Sequence, residues 1–240
     1  MQTVLVTGAS GFIGQSVCRK LLERGYAVRA LVRPTSYWPF DDHAYLQRVV
    51  GDMEDVHSLR KAVNGVDWIC HLAAAKADER QSIAVNVCGA EHLCRVAEDA
   101  CVQFIVNVST QSTKLPRMGL YASTKKQADD IFRASALPVT TLYSSLVYGG
   151  KGSGAFAAVY RFSALPIIPV FGGSATYYPL HRDDLAEMII RCAECEHTRG
   201  KSYDVGGTEM ITLDMLVNRI RSCAKRGGLI LHVPVWVGLL

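Results

Sequence analysis

Tyr121-Ala-Ser-Thr-Lys125 sets a phenol and an ammonium four residues apart. On a helix that spacing puts both groups on one face. A free phenol titrates near ~10, whereas acid–base chemistry at neutral pH asks for a value closer to ~7. A neighbouring ammonium favours the phenolate and is expected to move the phenol down. Ala128 and Phe132 continue the same face, so it should turn inward, where a lysine is costly without a partner. Upstream, Ser109, Thr110 and Ser112 offer three hydroxyls that could hold a substrate oxygen. Near the start of the chain, Gly8, Gly11 and Gly14 recur at three-residue spacing. Such glycines suit a tight turn, a close backbone approach to a pyrophosphate and close helix packing.

These groups need a scaffold, and the hydrophobic pattern supplies one. Thr3 to Thr7 reads as a buried strand, and Ile13, Val17 and Leu21 make the apolar face of a helix. The glycines therefore sit on a strand-to-helix turn, where free N–H groups and the helix dipole favour phosphate. Further strands are expected at Tyr26 to Val32, Leu46 to Val50, Asp67 to Leu72, Phe104 to Val108 and Val139 to Leu146. Helices are expected at Val56 to Val63, over residues 82–99 (Ile83, Val87, Ala90 and Cys94 on one face) and at Leu120 to Ala134. This alternation implies an α/β fold, a doubly wound parallel sheet. Beyond Tyr148, Gly149, Gly150, Gly152 and Gly154 mark a loop, and Leu165-Pro-Ile-Ile-Pro169 cannot be a central strand or a helix interior. A helix over Asp183 to Cys195 with Asp183 as N-cap, a strand at Ser202 to Val205 and a Thr212-capped helix over Leu213 to Cys223 complete the pattern.

Thr7-Gly8-x-x-Gly11-x-x-Gly14, with Gly-Phe-Ile-Gly inside it, resembles the short-chain dehydrogenase/reductase superfamily, in its extended or atypical branch of NAD(P)-dependent epimerase/dehydratase-like proteins. Tyr121-x-x-x-Lys125 resembles that superfamily's catalytic pair, and three later segments resemble the same branch: Leu146-Val147-Tyr148-Gly149, His181-x-Asp183-Asp184-Leu185-Ala186 and Tyr203-Asp-Val-Gly-Gly207. The resemblance covers nearly the whole chain. It implies a Rossmann-like dinucleotide-binding domain (1–148 and 176–206) and a small discontinuous substrate-binding subdomain (149–175 and 207–240). It implies catalysis by Thr110, Tyr121 and Lys125, with Lys125 also bonded to the nicotinamide ribose; Ser109 and Ser112 remain rivals of Thr110. It places the cofactor against the turn residues Gly8, Ser10, Gly11, Phe12, Ile13 and Gly14, against Asp52 and Met53 after strand three, against Ala73 and Ala74 after strand four, and against Asn86, Tyr121 and Lys125. NADP is the expected cofactor, with NAD as the alternative. Strand two ends Val32-Arg33 with no acid to receive a ribose hydroxyl, and Arg33 can pair with a 2′-phosphate.

Two departures narrow the substrate. Tyr143-Ser144 stands where the family often has Arg-Pro, and Phe171 to Pro179 lacks the Arg that grips the phosphates of a sugar nucleotide. Both argue against an ordinary UDP- or dTDP-sugar. The interval from Thr110 to Tyr121 is also short, as in reductase-like and respiratory-complex-associated relatives. Phe156, Tyr160, Phe162 and Leu165 suggest a small, partly apolar pocket wall. The first expectation is hydride transfer with a small carbonyl or alcohol. The alternatives are a nucleotide-sugar epimerase or dehydratase, and a cofactor-binding sensor or assembly protein without turnover.

Composition sets the remaining bounds. The 240 residues carry a net charge of +4, with 49% hydrophobic and 20% charged residues, which fits a globular α/β protein. Basic residues are scattered, so no nucleic-acid partner is expected, and no apolar run approaches the ~18 residues of a membrane span. Eight cysteines without a secretory signal suggest reduced thiols in the cytoplasm. Cys192-x-x-Cys195 has no second pair, so two ordinary thiols are expected rather than a metal site. A homodimer is left open. The apolar end, Val233 to Leu240, fits a strand leading into a helix that the sequence lacks, as truncation would produce.

Overall fold

The computed structural model describes residues 1–76, 78–150, 155–171 and 176–233. The glycines expected in a loop at 152 and 154, the Phe-Gly turn at 172–175 and the end at 234–240 lie outside these.

The chain opens with β1 (Thr3–Thr7), α1 (Gly14–Glu23), β2 (Ala27–Val32), β3 (Leu46–Val50), α2 (Val56–Val63) and β4 (Trp68–His71). Then come α3 (Glu79–Ser82), a π-helical turn (Ile83–Cys88), α4 (Gly89–Asp99), β5 (Phe104–Thr110), a 3₁₀ turn (Gln111–Lys114), α5 (Leu120–Ala134) and β6 (Val139–Ser144). The next stretch holds β7 (Val147–Tyr148), α6 (Ala155–Phe162), β8 (Ile167–Phe171), β9 (Thr176–Tyr177) and β10 (Leu180–His181). The chain then runs through α7 (Arg182–Glu194), β11 (Ser202–Val205), β12 (Ile211–Thr212), α8 (Leu213–Cys223) and β13 (Leu229–Val233).

Two compact units divide it: Met1–Ser144 with Arg182–Val205, and Ser145–His181 with the chain from Gly206 onward. The first unit holds a seven-stranded sheet in the order β11-β6-β5-β4-β1-β2-β3, with every pair parallel. β4 and β5 are buried along almost their whole length, as a sheet covered on both faces requires. One face packs Leu5, Ile69 and Ile105 against Leu59 of α2, Leu93 of α4 and Phe132 of α5. The helices α1 and α7 bury Val17, Leu21, Leu185 and Ile189. This is the Rossmann-like, doubly wound sheet expected from the sequence, with its order reversing between β1 and β4.

Three details differ from the sequence reading. The helix expected over 82–99 is interrupted by the π turn, whose extra residue rotates the stripe. Val85 and Asn86 are buried in place of Ile83, which is 39% exposed. Helix α7 starts at Arg182, so Asp183 lies in its first turn, where it accepts from Ser16 Oγ of α1. Residues 145–148 and 176–181 group with the second unit, because β7 pairs with β10 and β9 pairs with β12 instead of joining the large sheet.

Among the described residues the second unit holds three two-stranded sheets. In one, β8 pairs in parallel with β13, so Pro169 falls on a strand that has a free edge. Thr212 caps α8, its side chain accepting from the Met215 amide at 3.2 Å.

Candidate functional site

All seven strands of the large sheet are parallel, so their carboxyl ends share one edge. Gly8, Arg33, Asp52, Ala73 and Thr110 follow or end β1, β2, β3, β4 and β5 there.

The turn after β1 is built for close approach. Gly8 has φ +68°, and a Cβ on it would stand 2.9 Å from the Ala73 amide nitrogen. A Cβ on Gly14 would run into the Gly8 carbonyl oxygen and stand 2.8 Å from the Ala9 Cα. The Gly11 amide donates to the Gly8 carbonyl at 2.9 Å, and the Ser10 carbonyl accepts from Gln15 Nε2 at 2.9 Å. Among the described residues the amides of Phe12, Ile13 and Gly14 find no acceptor, and the first turn of α1 carries no acid. Arg182 lies 5.3 Å over the Phe12 ring and donates to its carbonyl at 3.4 Å, adding positive charge beside the turn. Glycines that hold the backbone close and free amides at a helix start fit the phosphates of a dinucleotide. Arg33 is exposed and has no side-chain partner among the described residues.

The segment after β4 is tied down at both ends. Thr7 Oγ1 accepts from the amides of Leu72 (3.1 Å) and Ala73 (3.3 Å) and meets His71 Nδ1 at 2.9 Å. With two donors already on its oxygen, the Thr7 hydroxyl gives its proton to Nδ1. His71 is 1% exposed, and burial, with Lys125 nearby, pushes its pKa down to about 3. Asn86 Oδ1 accepts from the Ala75 amide (2.8 Å), while its Nδ2 donates to the Ala75 carbonyl and to Thr124 Oγ1, each at 3.0 Å. Asn86, expected to touch the cofactor, thus spends its amide on the protein. Ala74 is exposed. Asp52 Oδ1 accepts from the Glu54 amide at 3.2 Å, and Met53 is buried in the core against Gly89.

Helix α5 carries Tyr121 and Lys125. Lys125 is 2% exposed and donates to the Val108 carbonyl of β5 at 3.1 Å. Thr110 lies two residues further along that strand. Its Oγ1 donates to Ser112 Oγ at 3.2 Å, so these two hydroxyls form a pair. Ser109 points elsewhere, donating to Asp129 Oδ2 at 2.6 Å. Tyr121 is half-buried, with the Lys76 ammonium 4.4 Å from its ring centroid. The expected lowering of the phenol does not occur: burial, with the charge of Asp129, pushes Tyr121 up to about 12. The Lys125 ammonium is spent on a carbonyl, and its own pKa falls through burial.

Lys76, His71, Arg182 and Asp129 were not singled out in the sequence. Asp129 alone had a readable signal, since it continues the four-residue spacing of Tyr121 and Lys125.

Residues 8–196 match the family described as NAD(P)H-binding. The chain belongs to that family. A ceramide reductase from Caulobacter vibrioides is 26% identical over 189 residues, spanning 78% of this chain and 59% of its own length. A 3β-hydroxysteroid dehydrogenase/Δ5→4-isomerase from Mycobacterium tuberculosis is 39% identical over 119 residues, spanning 45% of this chain and 32% of its own. The chain thus covers about a third to three-fifths of the length of these relatives. Among solved structures, an epimerase from Methanothermobacter thermautotrophicus superposes with a TM-score of 0.83 at 19% identity, over 97% of this chain and 80% of its own. The UDP-glucose 4-epimerase of Thermus thermophilus, solved in complex with NAD, gives 0.78 at 20%, over 97% and 86%. These neighbours share the fold of this chain. No helix among the described residues is long and apolar enough to cross a membrane.

Proposed function

We propose that this chain is an NADP-preferring oxidoreductase that reduces a small or apolar ketone or aldehyde, or oxidises the matching alcohol. The observation that carries this reading is Lys125, a buried ammonium held on the carbonyl of β5 one helical turn from Tyr121. Water-free burial of a lysine is costly, and a site for acid–base work is a reason to tolerate it. The ceramide reductase and steroid dehydrogenase among the relatives favour an apolar carbonyl compound over a sugar nucleotide. The exposed aromatic Phe162 and Tyr160 of α6 are compatible with an apolar pocket wall in the second unit.

When bound, the reduced nicotinamide supplies the hydride for the new C–H bond. The chain's residues handle the oxygen. We assign Thr110, paired with Ser112, to hold the substrate oxygen, because Ser109 is committed to Asp129. Tyr121 gives its phenolic proton to that oxygen as the carbonyl π pair moves onto it, and a phenol held protonated is suited to donate. Lys125 stabilises the phenolate that remains and hydrogen-bonds the ribose. Free amides at Phe12 to Gly14 hold the phosphates, and Arg33 meets a 2′-phosphate.

Tyr121→Phe tests the assignment. It removes one hydroxyl and little volume, so turnover should fall by about 10²–10⁴-fold while NADPH affinity barely changes. Lys125→Ala should lower both. The assay is NADPH consumption over sterol ketones, long-chain ketones, aldehydes and sugar nucleotides. Full activity in Tyr121→Phe on an identified substrate would refute the assignment. Retention of tightly bound cofactor through turnover would favour an epimerase. NADP binding with no turnover across the screen would favour a sensor.

A further inference from the structure

Behind the acid–base pair, on the same face of α5, lies a second charge. Asp129 is 3% exposed. Its two oxygens each accept a hydrogen bond from β5: Oδ1 from Asn107 Nδ2 at 3.0 Å and Oδ2 from Ser109 Oγ at 2.6 Å. Donors on both oxygens are the bonding of an ionised carboxylate. Asn107 and Ser109 flank Val108, whose carbonyl accepts from Lys125. One carboxylate therefore pins the strand on either side of the lysine's acceptor, two residues before Thr110. Lys125 has no anionic partner within salt-bridge distance among the described residues. Asp129, one turn further along α5, is the buried acid next to it.

We propose that Asp129 is a positioning residue whose buried charge keeps Lys125 charged and Tyr121 protonated between turnovers of carbonyl reduction. This rests on the oxidoreductase reading above. In that direction the Tyr121 proton goes to the substrate oxygen and the O–H bond of the phenol breaks. The phenolate left behind is then reprotonated from Lys125 or water before the next turnover. A negative charge beneath the pair keeps both protons in place between cycles. Burial and then the Asp129 charge push Tyr121 up, whereas burial pushes Lys125 down and the Asp129 charge opposes that fall. Other groups coupled to the trio are Lys76 over the Tyr121 ring, neutral His71 of β4 near Lys125, and Arg133 near Asp129, itself in contact with Tyr143 of β6.

The test reads the charge without any substrate. With ¹³C-ring-labelled tyrosine, the Tyr121 resonance is assigned by its loss in Tyr121→Phe and titrated in the ligand-free chain. Eight residues of helix separate Tyr121 from Asp129 by ~12 Å, and at an effective dielectric near ~20 a unit charge there moves a pKa by roughly half to one unit. Asp129→Asn should lower the Tyr121 midpoint by that amount. The double variant Asn107→Ala/Ser109→Ala, which removes the strand bonds and keeps the carboxylate, should melt at a lower temperature with the midpoint unmoved. An unchanged midpoint in folded Asp129→Asn would overturn the proposal. If Asp129→Asn does not fold, the double variant decides: a lowered midpoint in it shows that the strand bonds matter rather than the charge. Because no turnover is measured, a failed substrate screen leaves this result standing. Full activity in Tyr121→Phe would refute the oxidoreductase assignment separately.

Discussion

Replacing Gly14 with alanine separates helix propensity from packing by the sign of its effect. Gly14 is the first residue of α1, and alanine in a helix is favoured over glycine by up to ~1 kcal/mol. If only propensity mattered, Gly14→Ala would stabilise the protein. The new methyl would instead meet the Gly8 carbonyl and the Ala9 backbone, neither of which is a flexible side-chain end. Overpacking of this kind costs about 1–3 kcal/mol, so the net effect should be a loss of roughly 1–2 kcal/mol. Relief of the clash would push α1 away from β1 and spread the free amides at Phe12 to Gly14, so NADPH binding should also weaken. Gly25→Ala is the control. It has φ +80° with nothing within 4 Å of a Cβ, so it should lose ~1–2 kcal/mol through backbone strain and leave binding intact. Urea unfolding and NADPH fluorescence titration of both variants decide the matter. A stabilised Gly14→Ala with unchanged cofactor affinity would show that the turn is not a close-packed phosphate cradle.

Arg33→Ala should weaken NADP binding by roughly 10–100-fold, the worth of charge-assisted bonds to a phosphate, and leave NAD nearly unchanged. Equal losses for the two cofactors, or none, would remove Arg33 from the site. The buried His71 should make the fold acid-sensitive. Its folded pKa of about 3 lies below the unfolded ~6.5, so between these values the unfolded chain binds the extra proton and stability falls as pH falls. By about pH 4.5 this should amount to roughly 2–3 kcal/mol, read as a lower urea midpoint, and His71→Gln should flatten that limb. An unchanged slope in the variant would place the acid sensitivity elsewhere.

The sheet and its glycine turn were legible because they depend on local pattern. β1, β3, α2, α5 and α8 have the bounds read from the sequence, and each joins a clean hydrophobic period to a cap or turn residue. The π turn at Ile83–Cys88 was not legible. Its sequence reads as ordinary helix, and the register change goes with the bonds of Asn86 to Ala75 and Thr124, which are tertiary. The sequence pattern puts the start of α7 at Asp183, but the helix begins one residue earlier, and Asp183 accepts from Ser16 of another helix. The phenol's direction failed for a similar reason. The i, i+4 spacing gave the face of Tyr121 and Lys125, but their titration depends on how deeply the face is buried and on Asp129 one turn further.

The tertiary contacts of Asn86 also couple the two halves of the site. Thr7 at the end of β1 holds the Ala73 amide, and Ala75, two residues on, is held by Asn86. Asn86 in turn holds Thr124, which donates to the carbonyls of Leu120 and Tyr121. Lys76 follows directly and reaches over the Tyr121 ring. The glycine turn and the phenol are thus connected through one short segment and buried hydrogen bonds, with few freely rotating groups between them. The proposed hydride transfer would need a nicotinamide whose phosphates lie at Gly8 to Gly14 to meet a proton donor fixed on a different helix within a few tenths of an ångström. A segment clamped at Thr7 and at Asn86 would provide that alignment in the protein itself. On that reading Asn86 would act on the cofactor only through the backbone it holds, since its side chain is directed at Ala75 and Thr124.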